Sequence, residues 1–263
     1  MQLCALYDAV RQIDPALSIL SLHMMFTQIN CRFCQAACPA QSVIFTHSFI
    51  YYRGVSMTEY TKKQAVAIIV DCAEKYRDHL NGNTILYILR DKHQRISAFE
   101  VSFHPYNFLR LTGIKLKHHT NATDFYERCL NHKLSADDFL FAEDGTTSLK
   151  LQVLPYLMTP DTSAKMAGDY NGCIPKLYTE KLTGGVKACL GFVKTKYHAY
   201  VPNTVLNIDI RTAVRFPLQV IAVYRKKQTD STYTELVYKA RKIDWGKIAF
   251  PDEYRFVPKP ESN

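Results

Sequence analysis

The chain has 263 residues, of which 47% are hydrophobic and 22% charged, with 10 Gly and 11 Pro. This composition fits a packed globular protein and excludes disordered, collagen-like and low-complexity classes. Thirty-three Lys plus Arg against 24 Asp plus Glu give a formal charge of +9 and a pI near 9.1, which favours polyanionic partners, nucleic acid ahead of an anionic membrane surface. The apolar run 16–29 is broken by Ser18, Ser21, His23, Thr27 and Gln28, so it is too short and too interrupted to span a membrane. With no tripartite targeting signal at the start, the expectation is a cytoplasmic protein without a membrane partner.

Residues 1–56 carry only five formal charges (Asp8, Arg11, Asp14, Arg32 and Arg53) and show neither helical periodicity nor clean alternation. From Met57 the texture changes, which divides the chain into an N-terminal extension, 1–56, and a folded domain, 57–263. Met57 is read as the natural start, against the alternative that 1–56 form a small helical appendage. After Thr58, the apolar residues Ala65, Ile68, Ile69, Cys72, Ala73, Tyr76 and Leu80 recur at three- and four-residue steps, as an amphipathic helix requires. Thr84–Arg90 and Ile96–Phe103 are β-prone runs either side of a polar connection and read as a hairpin. Stretches 121–131 and 135–142 read as helices. A third helix, capped by Thr146 or Thr147, is limited by Pro155. The last third returns to strands at 187–194, 197–201, 218–226 and 233–242, with Gly184-Gly185 and 228–231 as turns. The tail after Trp245, with Pro251, Pro258 and Pro260, reads as an irregular extension. Strands, helices, then strands make an α+β fold.

Cys31, Cys34 and Cys38 have the spacing of three ferredoxin-type ligands, but Gln28 stands where another Cys is needed. A zinc site completed by His23 or His47 is arithmetically available without a rigid scaffold to hold it, so no metal and no cofactor are expected. Cys72, Cys129, Cys173 and Cys189 lack paired spacing and read as buried thiols. The densest cationic patch is Lys115-Leu-Lys117-His118-His119, five residues after Arg110. Metal-free RNA scission needs a base for the ribose 2′-OH, cations for the phosphorane and an acid for the leaving oxygen. His118 or His119 could carry either proton; the same run also reads as a solvated loop. Tyr170, Lys176, Lys181 and Lys187 interleave aromatic and basic groups in a loop-rich stretch, as single-strand platforms do, although 168–172 also reads as a plain turn. Phosphate loops, dinucleotide fingerprints, nucleophile elbows and His-Glu-x-x-His are absent from the sequence.

Four ordered blocks, Asn107–Ile114 (NFLRLTGI), Thr123–Leu130 (TDFYERCL), Ala164–Asn171 (AKMAGDYN) and Tyr200–Leu206 (YVPNTVL), together resemble the fourth phage-associated family of barnase/EndoU/colicin/RelE-like nucleases, over about residues 58–242. The resemblance implies a compact α+β fold with a small antiparallel sheet plus N-terminal and central helices. It also implies metal-independent RNA cleavage and a role in phage or mobile-element conflict in bacteria. The family pattern has His where this chain has Arg110, whose planar guanidinium suits phosphate binding rather than proton donation. Thr112, Tyr170 and Thr204 are carried over from the same blocks as site residues. The simpler readings are that Thr112 caps a turn and Thr204 caps a following helix.

The combined expectation is an endoribonuclease acting by 2′-OH transphosphorylation. His118, His119, Arg110, Thr112 and Thr204 serve as catalytic residues, and Lys115, Lys117, Tyr170, Lys176 and Lys187 as RNA-binding residues. RNA is the partner, with a cognate immunity protein as a second one. The rival is an inactive nucleic-acid-binding or toxin/immunity partner-binding protein.

Overall fold

The computed structural model describes residues 59–117, 120–172, 177–197 and 199–261. His118, His119, Cys173 and Lys176, the Cys31–Cys38 run and the boundary at Met57 lie outside them.

Helix α1 (Lys62–His79) starts where Thr61 accepts from the Gln64 N–H while the Gln64 side chain accepts from the Thr61 N–H, a reciprocal box that satisfies two orphan donors. Its buried stripe is Ala65, Ile69, Cys72, Ala73 and Tyr76, the expected face less the half-buried Ile68. The hairpin follows as β1 (Asn83–Arg90) and β2 (Ile96–Ser102), in antiparallel register from Thr84↔Ser102 to Arg90↔Ile96. Helix α2 (Phe108–Thr112) ends on Gly113 at φ 71°, a left-handed cap that glycine adopts without strain. The short pair β3 (Lys115–Leu116) and β4 (Phe139–Leu140) flanks α3 (Ala122–Leu130), whose N-cap Asn121 accepts from the Asp124 N–H.

The helix expected over 135–142 does not form. Asp138 Oδ2 accepts from the Ser135 N–H at 2.6 Å and from Arg128 Nη2 at 2.7 Å, which fixes a turn, and Phe139–Leu140 then pair with β3. Helix α4 (Thr146–Leu157) is capped by Gly145 rather than by either Thr and accommodates Pro155 in its last turn. Thr147 Oγ1 donates to Gly113 O at 2.6 Å and accepts from the Ala142 N–H at 2.8 Å, so it ties α4 to the end of α2. A single turn, α5 (Pro160–Ser163), leads into β5 (Met166–Asp169) and β6 (Lys181–Gly184). Neither strand was expected, and Gly168-Asp169 lie in a strand rather than a loop. The remaining elements are β7 (Cys189–Lys194), β8 (Tyr200–Leu206), α6 (Ile210–Ala213), β9 (Leu218–Lys227) and β10 (Glu235–Lys239).

The sheet is large, not small. Eight strands run in the order β1-β2-β8-β7-β6-β5-β9-β10, and β1 also pairs with β9, so the hydrogen-bonded neighbours return to their starting point with β10 appended. All pairings are antiparallel except the single parallel contact Val101↔Tyr200 between β2 and β8. One face of the sheet meets the helices: Ile85, Tyr87, Leu89, Phe99, Val101, Phe192 and Val223 share a core with Ile69, Tyr76, Phe108, Phe125 and Leu154. Leu86, Ile88, Ile221 and Tyr224 point the other way, under Tyr233, Trp245, Phe250 and Val257 of the C-terminal segment. Both faces of β1 are therefore covered, and seven of its eight residues are buried, a near-continuous apolar run rather than an alternation. Tyr224 donates its hydroxyl to Pro258 O at 2.7 Å, so the irregular tail is bonded to the sheet as well as packed on it.

Candidate nucleic-acid interface

Strand register builds one open concavity. Asp169 pairs with Lys181 across β5 and β6, Lys181 pairs with Phe192 across β6 and β7, and cross-strand partners project to the same face. Phe192 is fully buried and packs with Tyr87 and Phe99, so Asp169 and Lys181 stand at the rim of that aromatic layer. Tyr200 reaches the rim from β8, its ring 5.8 Å from that of Phe99. The Lys181 ammonium lies 2.5 Å from Asp169 Oδ1, 5.5 Å from the Phe99 ring centre and 5.8 Å from that of Tyr200.

The other wall depends on Gly168. A Cβ there would lie 2.9 Å from Val214 Cβ, so glycine lets the segment after α6 run against β5, where Tyr170 bridges Val214. That segment brings Arg215 and Phe216 to the mouth. The result is a cavity of about 440 Å3 lined by Leu89, Phe99, Gly168, Asp169, Tyr170, Lys181, Arg215, Phe216 and Leu218. Phe216 is 76% exposed, an arrangement that core packing does not require. Burial pushes the Tyr200 hydroxyl up to about 12, with the Glu180 and Asp169 carboxylates adding to the shift. At neutral pH the phenol is a proton donor with its ring face intact. Two cations, aromatic planes and a carboxylate in one concavity can hold an unpaired nucleotide by phosphate contact and stacking.

Of the residues named from sequence, Tyr170 and Lys181 line this concavity. Lys187 is exposed in the β6–β7 turn. Arg110, Lys115 and Lys117 are exposed elsewhere, around the end of α2. There Lys150 donates its Nζ to Arg110 O at 3.0 Å, and burial lowers its pKa against the opposing pull of the Asp144 carboxylate. Thr112 and Thr204 are buried. Thr112 donates to Leu109 O at 2.7 Å, closing the turn at the end of α2 as the simpler reading held. Thr204 lies within β8 opposite Gly191, so it caps no helix. A Cβ at Gly191 would come 2.7 Å from Thr204 Cγ2, which makes Thr204 a packing residue. Neither hydroxyl reaches a surface where substrate could meet it.

Sequence reasoning missed Arg215, Phe216 and Tyr200 as site residues and grouped Lys181 with a loop. The signal available was an exposed-looking Arg-Phe dipeptide between a short helix and a strand. Cys72, Cys129 and Cys189 are free and buried, each pushed up to about 12 by burial. Among the described residues no three His, Cys, Asp or Glu side chains group as a metal site, and no helix is long and apolar enough to cross a membrane.

No curated protein and no solved structure matches the chain. The profile of one family does match, over residues 68–242, a span that includes most of α1, all ten strands and every residue lining the concavity. The chain therefore belongs to the phage-Barnase-EndoU-ColicinE5/D-RelE-like nuclease family 4.

Proposed function

We propose that this chain cleaves RNA by metal-independent transphosphorylation in the Lys181–Arg215 concavity. The observation that carries the reading is the convergence of Asp169, Lys181, Arg215 and Phe216, from β5, β6 and the segment after α6, on one concave mouth, with the Tyr200 ring of β8 5.8 Å from the Lys181 ammonium, in a chain of nuclease ancestry. Arg215 and the Lys181 ammonium hold the scissile phosphate and offset charge on the phosphorane. Tyr170 and Phe216 flank the adjoining base. The Asp169 carboxylate takes the ribose 2′ proton as the 2′-oxygen bonds to phosphorus. Tyr200 gives its proton to the departing 5′-oxygen, leaving a 2′,3′-cyclic phosphate and a free 5′-hydroxyl. The fold's cations supply the charge stabilisation without a cofactor. The family's association with phage supports a role in conflict between mobile elements and their bacterial hosts.

The test is cleavage of labelled RNA in EDTA, with the product ends identified. Cyclic-phosphate ends from the parent protein, formed far more slowly by Asp169→Asn and Lys181→Met, support the reading; parent-like cleavage by both variants sinks it. A His118→Ala/His119→Ala variant tests the imidazole alternative, in which proton transfer runs through the patch beside Arg110. A second reading, an inactive nucleic-acid binder, is favoured by Arg110 in place of the family's His. Salt-sensitive RNA binding without product identifies it.

A further inference from the structure

The row of rings and cations does not stop at the concavity. Lys194 is the cross-strand partner of Tyr200, and its Nζ lies 5.3 Å from the Tyr200 ring centre, so that ring has the Lys181 and Lys194 ammonium groups within cation–π range. Beyond Lys194 the β7–β8 connection turns tightly, with Thr195 N–H bonded to Ala199 O at 2.8 Å. It presents Lys196 4.9 Å from the ring centre of Tyr197, and Tyr197 is 78% exposed. Phe99, Lys181, Tyr200, Lys194, Lys196 and Tyr197 thus set a ring beside every cation from the mouth to the hairpin tip. Packing accounts for none of the exposure at Tyr197, and an isolated pair of lysines would not account for the ring beside each.

We infer that the Lys194–Tyr197 hairpin is a docking track for the nucleotides that flank the cleaved one, and that it selects single-stranded over duplex RNA. The inference rests on the nuclease reading above. Only unpaired bases expose the π-faces that Tyr197 and Tyr200 can stack on, while a duplex hides them and offers only its phosphates. Lys194 and Lys196 would meet successive phosphates of the same strand, so affinity should fall steeply with salt.

The experiment is fluorescence anisotropy with a labelled single-stranded deoxyoligonucleotide, which lacks the 2′-OH and is not cut, over a range of salt. RNA cleavage by the same proteins is measured in parallel. Tyr197→Ala should weaken binding about 5- to 100-fold, the effect of unstacking one base, and Tyr197→Trp should restore it. Lys194→Ala/Lys196→Ala should flatten the salt slope by about 0.7 for each phosphate no longer neutralised. Unlabelled duplex of equal length should compete poorly. Unchanged affinity in Tyr197→Ala, or duplex competing as well as single strand, overturns the track. If the parent protein cuts RNA while either of these holds, the nuclease reading stands alone. A parent protein that neither binds nor cuts overturns both.

Discussion

The two sides of the sheet are built for different work. Around β1 and β9 both faces are covered, by α1, α2, α3 and α4 on one and by the C-terminal segment on the other, and polar side chains are confined to the ends. Around β5–β8 the outer face carries, among the described residues, a small cluster, Leu182, Cys189, Leu206, Ile210, Ala213 and Val214, and the strand ends open into a mouth rimmed by Asp169, Lys181, Arg215 and Phe216. Apolar burial is the main stabilising term in a domain, so the first half holds most of the folding free energy. The rim of the second carries charges and rings whose exposure adds little stability. Substitutions should therefore separate cleanly into those that unfold the protein and those that silence it.

Trp245 is the strongest test of the covered half. It is 3% exposed and sits over β1 and β9 with Phe250 and Tyr233, so Trp245→Ala should cost about 3–5 kcal/mol of stability, read as a lower urea midpoint. Phe216→Ala should change stability by no more than about 0.5 kcal/mol while weakening RNA binding. A Trp245 variant with a parent-like midpoint would show that the tail is an ornament on a sheet that is stable without it.

Next in size are the cations of the mouth. Arg215→Ala and Lys181→Met should each lower the cleavage rate by about 10²–10³-fold, the loss expected for one group facing developing charge, with unfolding midpoints near that of the parent. Loss of activity that tracks loss of fold would mean that the mouth is structural.

Smaller again is the β7–β8 seam within the open half. Gly191→Ala should cost about 1–3 kcal/mol by overpacking, because its Cβ would meet Thr204 Cγ2 at 2.7 Å and Thr179 Cγ2 at 3.0 Å. Thr204→Ser, which removes one of those methyl groups, should recover part of that cost in the double variant. Additive effects would remove the packing role assigned to Thr204.

The covered half was the legible one. Helix α1 and the β1–β2 hairpin could be read because a capping residue, a 3.6-residue stripe and two β-prone runs around a polar turn are local signals. The open half was not. Strands β5 and β6 have four residues each, too few for alternation to register, and their glycines serve close approaches that only the fold defines, Gly168 to Val214 and Gly184 to Ala188 O. The 135–142 stretch was misread because its apolar spacing suits a helix while Asp138 diverts the backbone into a turn that feeds β4. For the site, sequence supplied Tyr170, Lys181 and the cationic character, but not the strand that carries Lys181. Lys181, Tyr200 and Arg215 are far apart along the chain, and strand pairing rather than chain proximity joins them.

The smallest expected effect is at the far edge, where β10 joins β9. Glu235 accepts from Arg225 Nε at 2.7 Å and also from its Nη2, and Arg225 Nη1 reaches back to His79 O at the end of α1. The Arg225 hydrogen bond holds the Glu235 carboxyl below its ordinary 4.5 against a smaller opposing effect of burial. A depressed carboxylate contributes stability that is fully present above its ordinary value and is lost as pH falls through the folded-state value. With its side chain 51% exposed, solvent screening keeps the contribution under about 1 kcal/mol. Glu235→Gln should therefore unfold at slightly lower urea than the parent near neutral pH, and the gap should close as the pH is taken well below the ordinary carboxylate range. A gap that persists in acid would mean that the side chain acts through shape rather than charge. The β9–β10 seam would then belong with the packed half of the molecule, not with its charged rim.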